Sequence, residues 1–179
     1  GSNSNSITKC SNSAKMSGYG SGGSYTTTVG GTYLGGGGSK VTINYYGRSY
    51  LSGVCPTNSG VVSECYNQGD LTTSYGSNGS CTATGIAQGG TVDNCYNNAN
   101  VNGLAIGGEN VNCCYSIGNA TSMGATNNCY YLNGTCSSSE GSFALSDEQM
   151  QDKNSFKGFD FNDIWFIDET TVYKYPQLN

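Results

Sequence analysis

The residues with the widest chemical scope in this 179-residue chain are its nine cysteines. A thiol can ligate a metal, pair in a disulfide or act as a nucleophile. Structural metal sites need clustered ligands, usually with histidine or a Cys-x-x-Cys pair, and the chain has neither. No adjacent base or helix start is present to activate a thiol. We therefore expect no metal site and no catalytic cysteine.

Carboxylates near the C-terminus are the second candidates for chemistry. Asp160, Asp163, Asp168 and Glu169 could supply a carboxylate pair for glycoside hydrolysis or ligands for calcium. Their alternation with Phe and Ile is typical of solvated strand faces, and the absence of histidine removes most general acid–base devices. The sequence thus predicts no enzyme and no cofactor. A polysaccharide-acting β-helix enzyme using Asp160 and Asp163 is the alternative.

Charge and composition restrict the class of protein further. Charged residues make up only 11% of the chain, the net charge is −5, and glycine (28) and tyrosine (14) are abundant. Recurrent Tyr, Val, Ile and Cys distinguish it from a disordered chain and indicate a β-rich fold with tight turns. No basic surface is available for nucleic acid, and no apolar run approaches the length of a membrane span. We treat Gly1-Ser2 as a cloning remnant and expect a fragment of a longer protein.

A phrase centred on Cys-Tyr recurs four times and is the strongest signal in the sequence. Its copies are residues 61–67 (VVSECYN), 91–97 (TVDNCYN), 110–116 (NVNCCYS) and 126–131 (TNNCYY). A second phrase alternates with it at residues 52–54, 84–87, 102–105 and 122–124. The steps between equivalent cysteines are 30, 19 and 15 residues, so the turns vary while the phrases persist.

These phrases predict two short strands per repeat, separated by Gly/Asn/Ser turns. Neither strand can bury its apolar side alone, so successive repeats must stack. We predict an all-β fold, a parallel β-solenoid or β-helix of short degenerate coils, with Asn ladders at the corners. The equivalent cysteines are expected to form a core ladder of Cys65, Cys95, Cys114 and Cys129. The next residues then face outward as an aromatic stripe, for stacking or for ligand contact: Tyr66, Tyr96, Tyr115 and Tyr130.

At these phrases the sequence resembles the GLUG-motif repeat family of bacterial secreted and surface proteins. Residues 84–87 with 90–97 are most similar to its pattern, 103–115 are next, and the resemblance covers about residues 52–132. The chain departs from the pattern at Gln88 and Ile106, which replace the second glycine of the motif. Family members include adhesin-like proteins and IgA-directed metallopeptidases, in which the repeats are accessory modules. The resemblance therefore implies display or adhesion and supplies no catalytic residue.

Cysteines outside the ladder are candidates for disulfides. Cys113 should face away from its neighbour Cys114 and be free to pair. We predict the pairs Cys113–Cys136 and Cys55–Cys81 for a secreted protein. An anaerobic setting would instead leave these thiols reduced. Because nine is an odd number, at least one thiol stays unpaired within the chain.

Two flanking segments complete the predicted organisation around a solenoid at residues 40–139. Residues 1–39 are rich in Gly, Ser and Tyr and are interpreted as irregular first coils ending in a loop, with a tyrosine-bearing binding surface or a flexible linker as alternatives. Residues 140–179 are interpreted as a cap over the last coil. This cap opens with a capping box at Ser146 and a short helix at 147–153. Its phrases FKGFDF, IWFI and YPQL also resemble the segment that commonly follows GLUG arrays.

The sequence as a whole favours a non-enzymatic module for display or adhesion at a bacterial cell surface. A host glycan or protein is the expected partner, and the tyrosines are the expected contacts. A structural stalk or a self-associating filament subunit is the first alternative, and the β-helix enzyme is the second. We expect the location to be extracellular or at the cell surface.

Overall fold

The structure, a computed structural model, describes residues 2–29, 39–124 and 126–179 and is nearly all β. Its strands, in chain order, are β1 (Ser2–Asn3), β2 (Ser6–Thr8), β3 (Ser11–Asn12), β4 (Met16–Gly20), β5 (Gly23–Val29), β6 (Ser39–Tyr45), β7 (Gly47–Ser52), β8 (Thr57–Asn58), β9 (Val61–Ser63), β10 (Tyr66–Asn67), β11 (Leu71–Tyr75), β12 (Gly79–Thr84), β13 (Thr91–Asp93), β14 (Tyr96–Asn97), β15 (Asn110–Asn112), β16 (Tyr115–Ser116), β17 (Thr126–Asn127), β18 (Cys129–Leu132), β19 (Ser142–Leu145), β20 (Trp165–Phe166) and β21 (Gln177–Leu178). A helix, α1, spans Asp147–Met150, and a 3₁₀ turn spans Lys153–Ser155.

Two parallel sheets carry the repeats. One has the order β2-β9-β13-β15-β17, and the other has the order β3-β10-β14-β16-β18-β19. Equivalent residues pair directly: Val92 with Val62 and Val111 in the first sheet, Tyr96 with Tyr66 and Tyr115 in the second. The prediction of an all-β fold with parallel sheets is confirmed.

The first copy of the repeat lies in the N-terminal segment and was missed by the sequence prediction. Strand β2 pairs with β9 and strand β3 pairs with β10, so residues 6–12 (SITKCSN) belong to the stack. A shared corner residue with positive φ supports this alignment: Lys9, Glu64, Asn94, Cys113 and Asn128 all have φ between 49° and 54°. Such a left-handed residue is uncommon outside glycine, so its recurrence marks one turn geometry used five times.

An arm extends sideways from the first two repeats. It consists of two two-stranded parallel sheets, β4 with β11 and β7 with β12. The antiparallel hairpin β5–β6 continues the arm beyond them. Leu71 and Ala83 are buried between the sheets, packed against Met16 and Leu51. At Gly20 any side chain would collide with the facing Ser80 backbone. The close approach of these two segments of the arm therefore requires glycine at this position.

The C-terminal segment follows a different course from the predicted cap. The capping box is confirmed, with the Ser146 hydroxyl accepting from Gln149 N–H, but α1 is shorter than the predicted helix. Strand β19 adds to the six-stranded sheet. Residues 156–179, here called the C-terminal strap, then run along the side of the stack. Tyr130 contacts the Lys157 carbonyl near the last repeat, and Lys9 in the first repeat contacts Asn179.

The prediction of a lid over the last coil is therefore wrong for the strap. Its aromatic residues pack against the outward tyrosine rings of three repeats, in a cluster centred on Trp165. Those rings are a large apolar surface that stacking alone leaves open to water. Burial of apolar area favours covering that side.

Candidate functional site

A column of thiols runs through the core between the two sheets. Each cysteine N–H donates to the Sγ of the next repeat, over 3.3–3.4 Å. Each thiol donates in turn to the carbonyl two residues before it, over 3.0–3.4 Å. The structure thus places Cys65, Cys95, Cys114 and Cys129 directly above one another, with Cys10 as an additional first member. The other four thiols lie inside the core and hydrogen-bond from repeat to repeat, whereas Cys10 is exposed.

Three thiols in this column are poorly suited to nucleophilic chemistry, whereas the hydrogen bond with Cys95 lowers the pKa of Cys65. Burial raises the pKa of Cys95 and of Cys114, because the thiolate would lose its hydration. For Cys129 the hydrogen bond with Cys114, together with burial, raises the pKa. A nucleophilic cysteine needs the opposite shift.

The two predicted disulfides are not formed, since all nine cysteines are free. Cys113 packs in the aromatic cluster under the strap. Cys136 packs against the separate core cluster that contains the thiol column. Cys55 is part of that core, whereas Cys81 lies in the arm on β12, opposite Ser49. Alternation along a strand indicated which way Cys113 faces but not that the strap would cover it.

Asparagine ladders hold the corners, in agreement with the prediction. Asn12 Nδ2 donates to Asn67 Oδ1 and Asn67 Nδ2 donates to Asn97 Oδ1, both over 2.8 Å. Asn97 Nδ2 continues the ladder to Ser116 Oγ over 3.2 Å. Buried amides of this kind are stabilising only when their hydrogen bonds are complete.

The tyrosine stripe faces away from the thiol column but is not a free surface. Tyr66 and Tyr96 stack with ring centroids 4.9 Å apart, and Tyr96 and Tyr115 with centroids 5.2 Å apart. Phe156 of the strap packs edge-on against Tyr115 and Tyr130. Tyr96, Tyr115 and Tyr130 are buried, so the expectation that they contact a ligand is wrong. The expectation of stacking holds for Tyr66, Tyr96 and Tyr115, whereas Tyr130 meets Phe156 edge-on.

The C-terminal acids lie in turns and not on the predicted strand faces. Asp160 accepts from the N–H groups of Asn162 and Asp163. Asp168 accepts from the hydroxyl and the N–H of Thr170, and these bonds lower its pKa. A general acid needs a raised pKa, so Asp168 is unsuited to that role.

A third polar ladder lines an open groove beside the arm. Asp70 Oδ1 accepts from Asn100 N and Nδ2 over 3.0 and 3.3 Å. Asn100 Oδ1 accepts from Asn119 N and Nδ2 over 3.1 and 2.9 Å. Lys15 approaches Asp70 Oδ2 to 3.2 Å, and the Asn100 N–H and this ammonium lower the pKa of Asp70. The groove has a volume of about 420 Å³.

Exposed tyrosines are concentrated on the arm, where the sequence prediction did not specify them. The exposed fractions are 63% for Tyr19, 72% for Tyr46, 46% for Tyr50 and 71% for Tyr75. The Tyr19 hydroxyl lies against Gly76, the residue after Tyr75. Only the alternative of a tyrosine-bearing binding surface in residues 1–39 pointed towards this region. Its loop, residues 30–38, lies outside the described residues.

The part of the chain that the structure describes contains no cluster of three or more His, Cys, Asp or Glu side chains suited to a metal ion. In the same residues no helix has the length and apolar character needed to cross a bilayer. Comparisons with protein-family models, curated proteins and solved structures found no match. The family resemblance therefore stays a prediction from the repeat phrases.

Proposed function

We propose that this chain is a non-enzymatic module of a larger bacterial surface protein and that it acts in display and adhesion through its tyrosine arm. The observation that carries the proposal is the grouping of four exposed tyrosines on the arm. Tyrosine offers a large, rigid contact with a polar end at low entropic cost, which is why it is enriched in binding surfaces. Part of the proposal is that the hydrogen-bonded stack is a GLUG-like solenoid that holds the arm in place.

Adhesion of coated beads tests this proposal. Beads carrying the chain should adhere to epithelial cell monolayers and to immobilised mucin more than beads carrying an unrelated protein. The double variant Tyr19→Ala/Tyr75→Ala should reduce adhesion at least tenfold, because central interface tyrosines typically contribute about 2 kcal/mol each. Phe143→Ala removes another exposed aromatic residue, on edge strand β19, and should leave adhesion unchanged. Adhesion equal to that of the unrelated protein, or an undiminished double variant, would refute the proposal.

A structural role as a stalk or filament subunit is the second candidate. Among the described residues, β2 and β3 each pair on one side only. Unpaired strand edges are templates for pairing with another chain. Light scattering separates the candidates, because a filament subunit increases in mass with concentration, whereas an adhesive module of this kind stays monomeric.

A further inference from the structure

The hydrogen-bonding groups of the groove beside the arm are uncharged except for one carboxylate. Its polar lining consists of Asp70, Thr72, Asn100, Asn102, Asn119 and Thr121. Leu71, Val101 and Ala120 form the apolar part of the wall. The groove crosses three successive repeats, since Leu71 bridges to Val101 and Val101 N–H donates to the Asn119 carbonyl. We call it the amide groove.

Charge in the amide groove is already compensated. Asp70 is its only ionised side chain, and its two oxygens are engaged by Asn100 and by Lys15. A charged ligand entering here would lose hydration without gaining an ionic partner. Amide N–H groups and threonine hydroxyls instead match a neutral ligand that carries many hydroxyl groups.

The spacing of the groove selects an extended ligand. Parallel strands repeat at about 4.8 Å, so the amides of Asn100 and Asn119 recur at that interval along the stack. The hydrogen bonds between them fix both side chains before a ligand arrives, which lowers the entropic cost of binding.

We propose that the amide groove binds an extended, uncharged oligosaccharide whose chain runs along the stack, about one sugar ring per repeat. The amides and threonines hydrogen-bond to the sugar hydroxyls. The inference rests on the proposed adhesive function and names its ligand class. The residues that line the groove are different from the exposed tyrosines of the arm.

Titration calorimetry with hexasaccharides tests the inference. The probes are neutral hexamers of glucose, mannose and N-acetylglucosamine, with a hexamer of galacturonic acid as the charged counterpart. We expect at least one neutral hexamer to bind and the charged hexamer to bind at least tenfold more weakly. Asn119→Ala and the groove-filling Thr121→Trp should each weaken binding at least tenfold. Asn110→Ala, an exposed asparagine outside the groove, should not change it.

Thermal melts show whether the two groove variants fold, and Asn102→Ala replaces either one that does not. Absence of neutral hexamer binding, binding unaffected by the folded groove variants, or preference for the charged hexamer would overturn the inference. If beads still adhere through Tyr19 and Tyr75 in that case, the adhesive function stands and only the ligand assignment falls. If adhesion is also lost, both fall.

Discussion

Individual side chains in this protein stabilise the fold by hydrogen bonding to the equivalent residue of the next repeat. Asn97 is the clearest case, because it accepts from Asn67, donates to the Ala99 carbonyl and approaches Ser116. The cysteines act similarly: the Cys95 N–H, for example, donates to the Sγ of Cys114 in the next repeat. A buried polar group of this kind is costly when its partner is removed.

Asn97→Ala should therefore lower the free energy of unfolding by about 3 kcal/mol, since it removes one buried acceptor of the Asn67 amide and the side-chain donor to the Ala99 carbonyl. Asn110→Ala, at an exposed position of the next repeat, should change it by less than about 0.5 kcal/mol. Urea denaturation of both variants measures the difference. Equal stability of the two variants would show that the corner ladder contributes nothing.

Residue patterns predicted the ladders because a Cys-Tyr-Asn phrase fixes which side each residue faces once repeats stack. The sequence pattern does not reveal the first repeat, because Ser11 stands where the other copies have tyrosine and the corner residue of this repeat is Lys9. The exposure of Tyr19 was not predictable. It depends on the pairing of β4 with β11 across 55 residues, and the Gly/Ser-rich sequence around it carries no hydrophobic period.

Two elements, the C-terminal strap and the arm, are attached to different parts of the stack. The C-terminal strap covers the tyrosine stack, and the arm leaves its own tyrosines open. The sequence indicated that the Phe- and Trp-rich segment must cover apolar surface, but both an end and a side of the stack satisfy that requirement. The choice depends on the area of the outward rings, which becomes apparent only when Tyr96 and Tyr115 lie side by side.

The strap has a built-in reporter because Trp165 is the only tryptophan and is fully buried. Phe159 lies against it, with ring centroids 4.8 Å apart. Phe159→Ala should destabilise the chain by about 3 kcal/mol, shift the emission to longer wavelength and increase quenching by acrylamide. Phe166→Ala, a partly exposed residue of the same segment, should leave the emission unchanged. Emission of the unmodified protein typical of tryptophan in water would mean that the strap does not dock as described.

At the scale of the whole molecule, one regular stack supports two irregular additions, the arm and the strap. Its order comes from identical side chains meeting repeat after repeat, which makes stability a sum of neighbour contacts. The arm and the amide groove then depend on the stack for their positions. The positions of both proposed binding surfaces therefore depend on the register of the repeats.

The sulfur atoms allow this register to be measured directly. An anomalous difference map from a crystal of the protein, collected at a wavelength where sulfur scatters anomalously, should show five cysteine peaks in one row. Their spacing should be about 4.8 Å, in the order Cys10, Cys65, Cys95, Cys114 and Cys129. Peaks for these cysteines that are scattered, paired at disulfide distance or spaced irregularly would contradict the stacked-repeat structure and the proposals that depend on it.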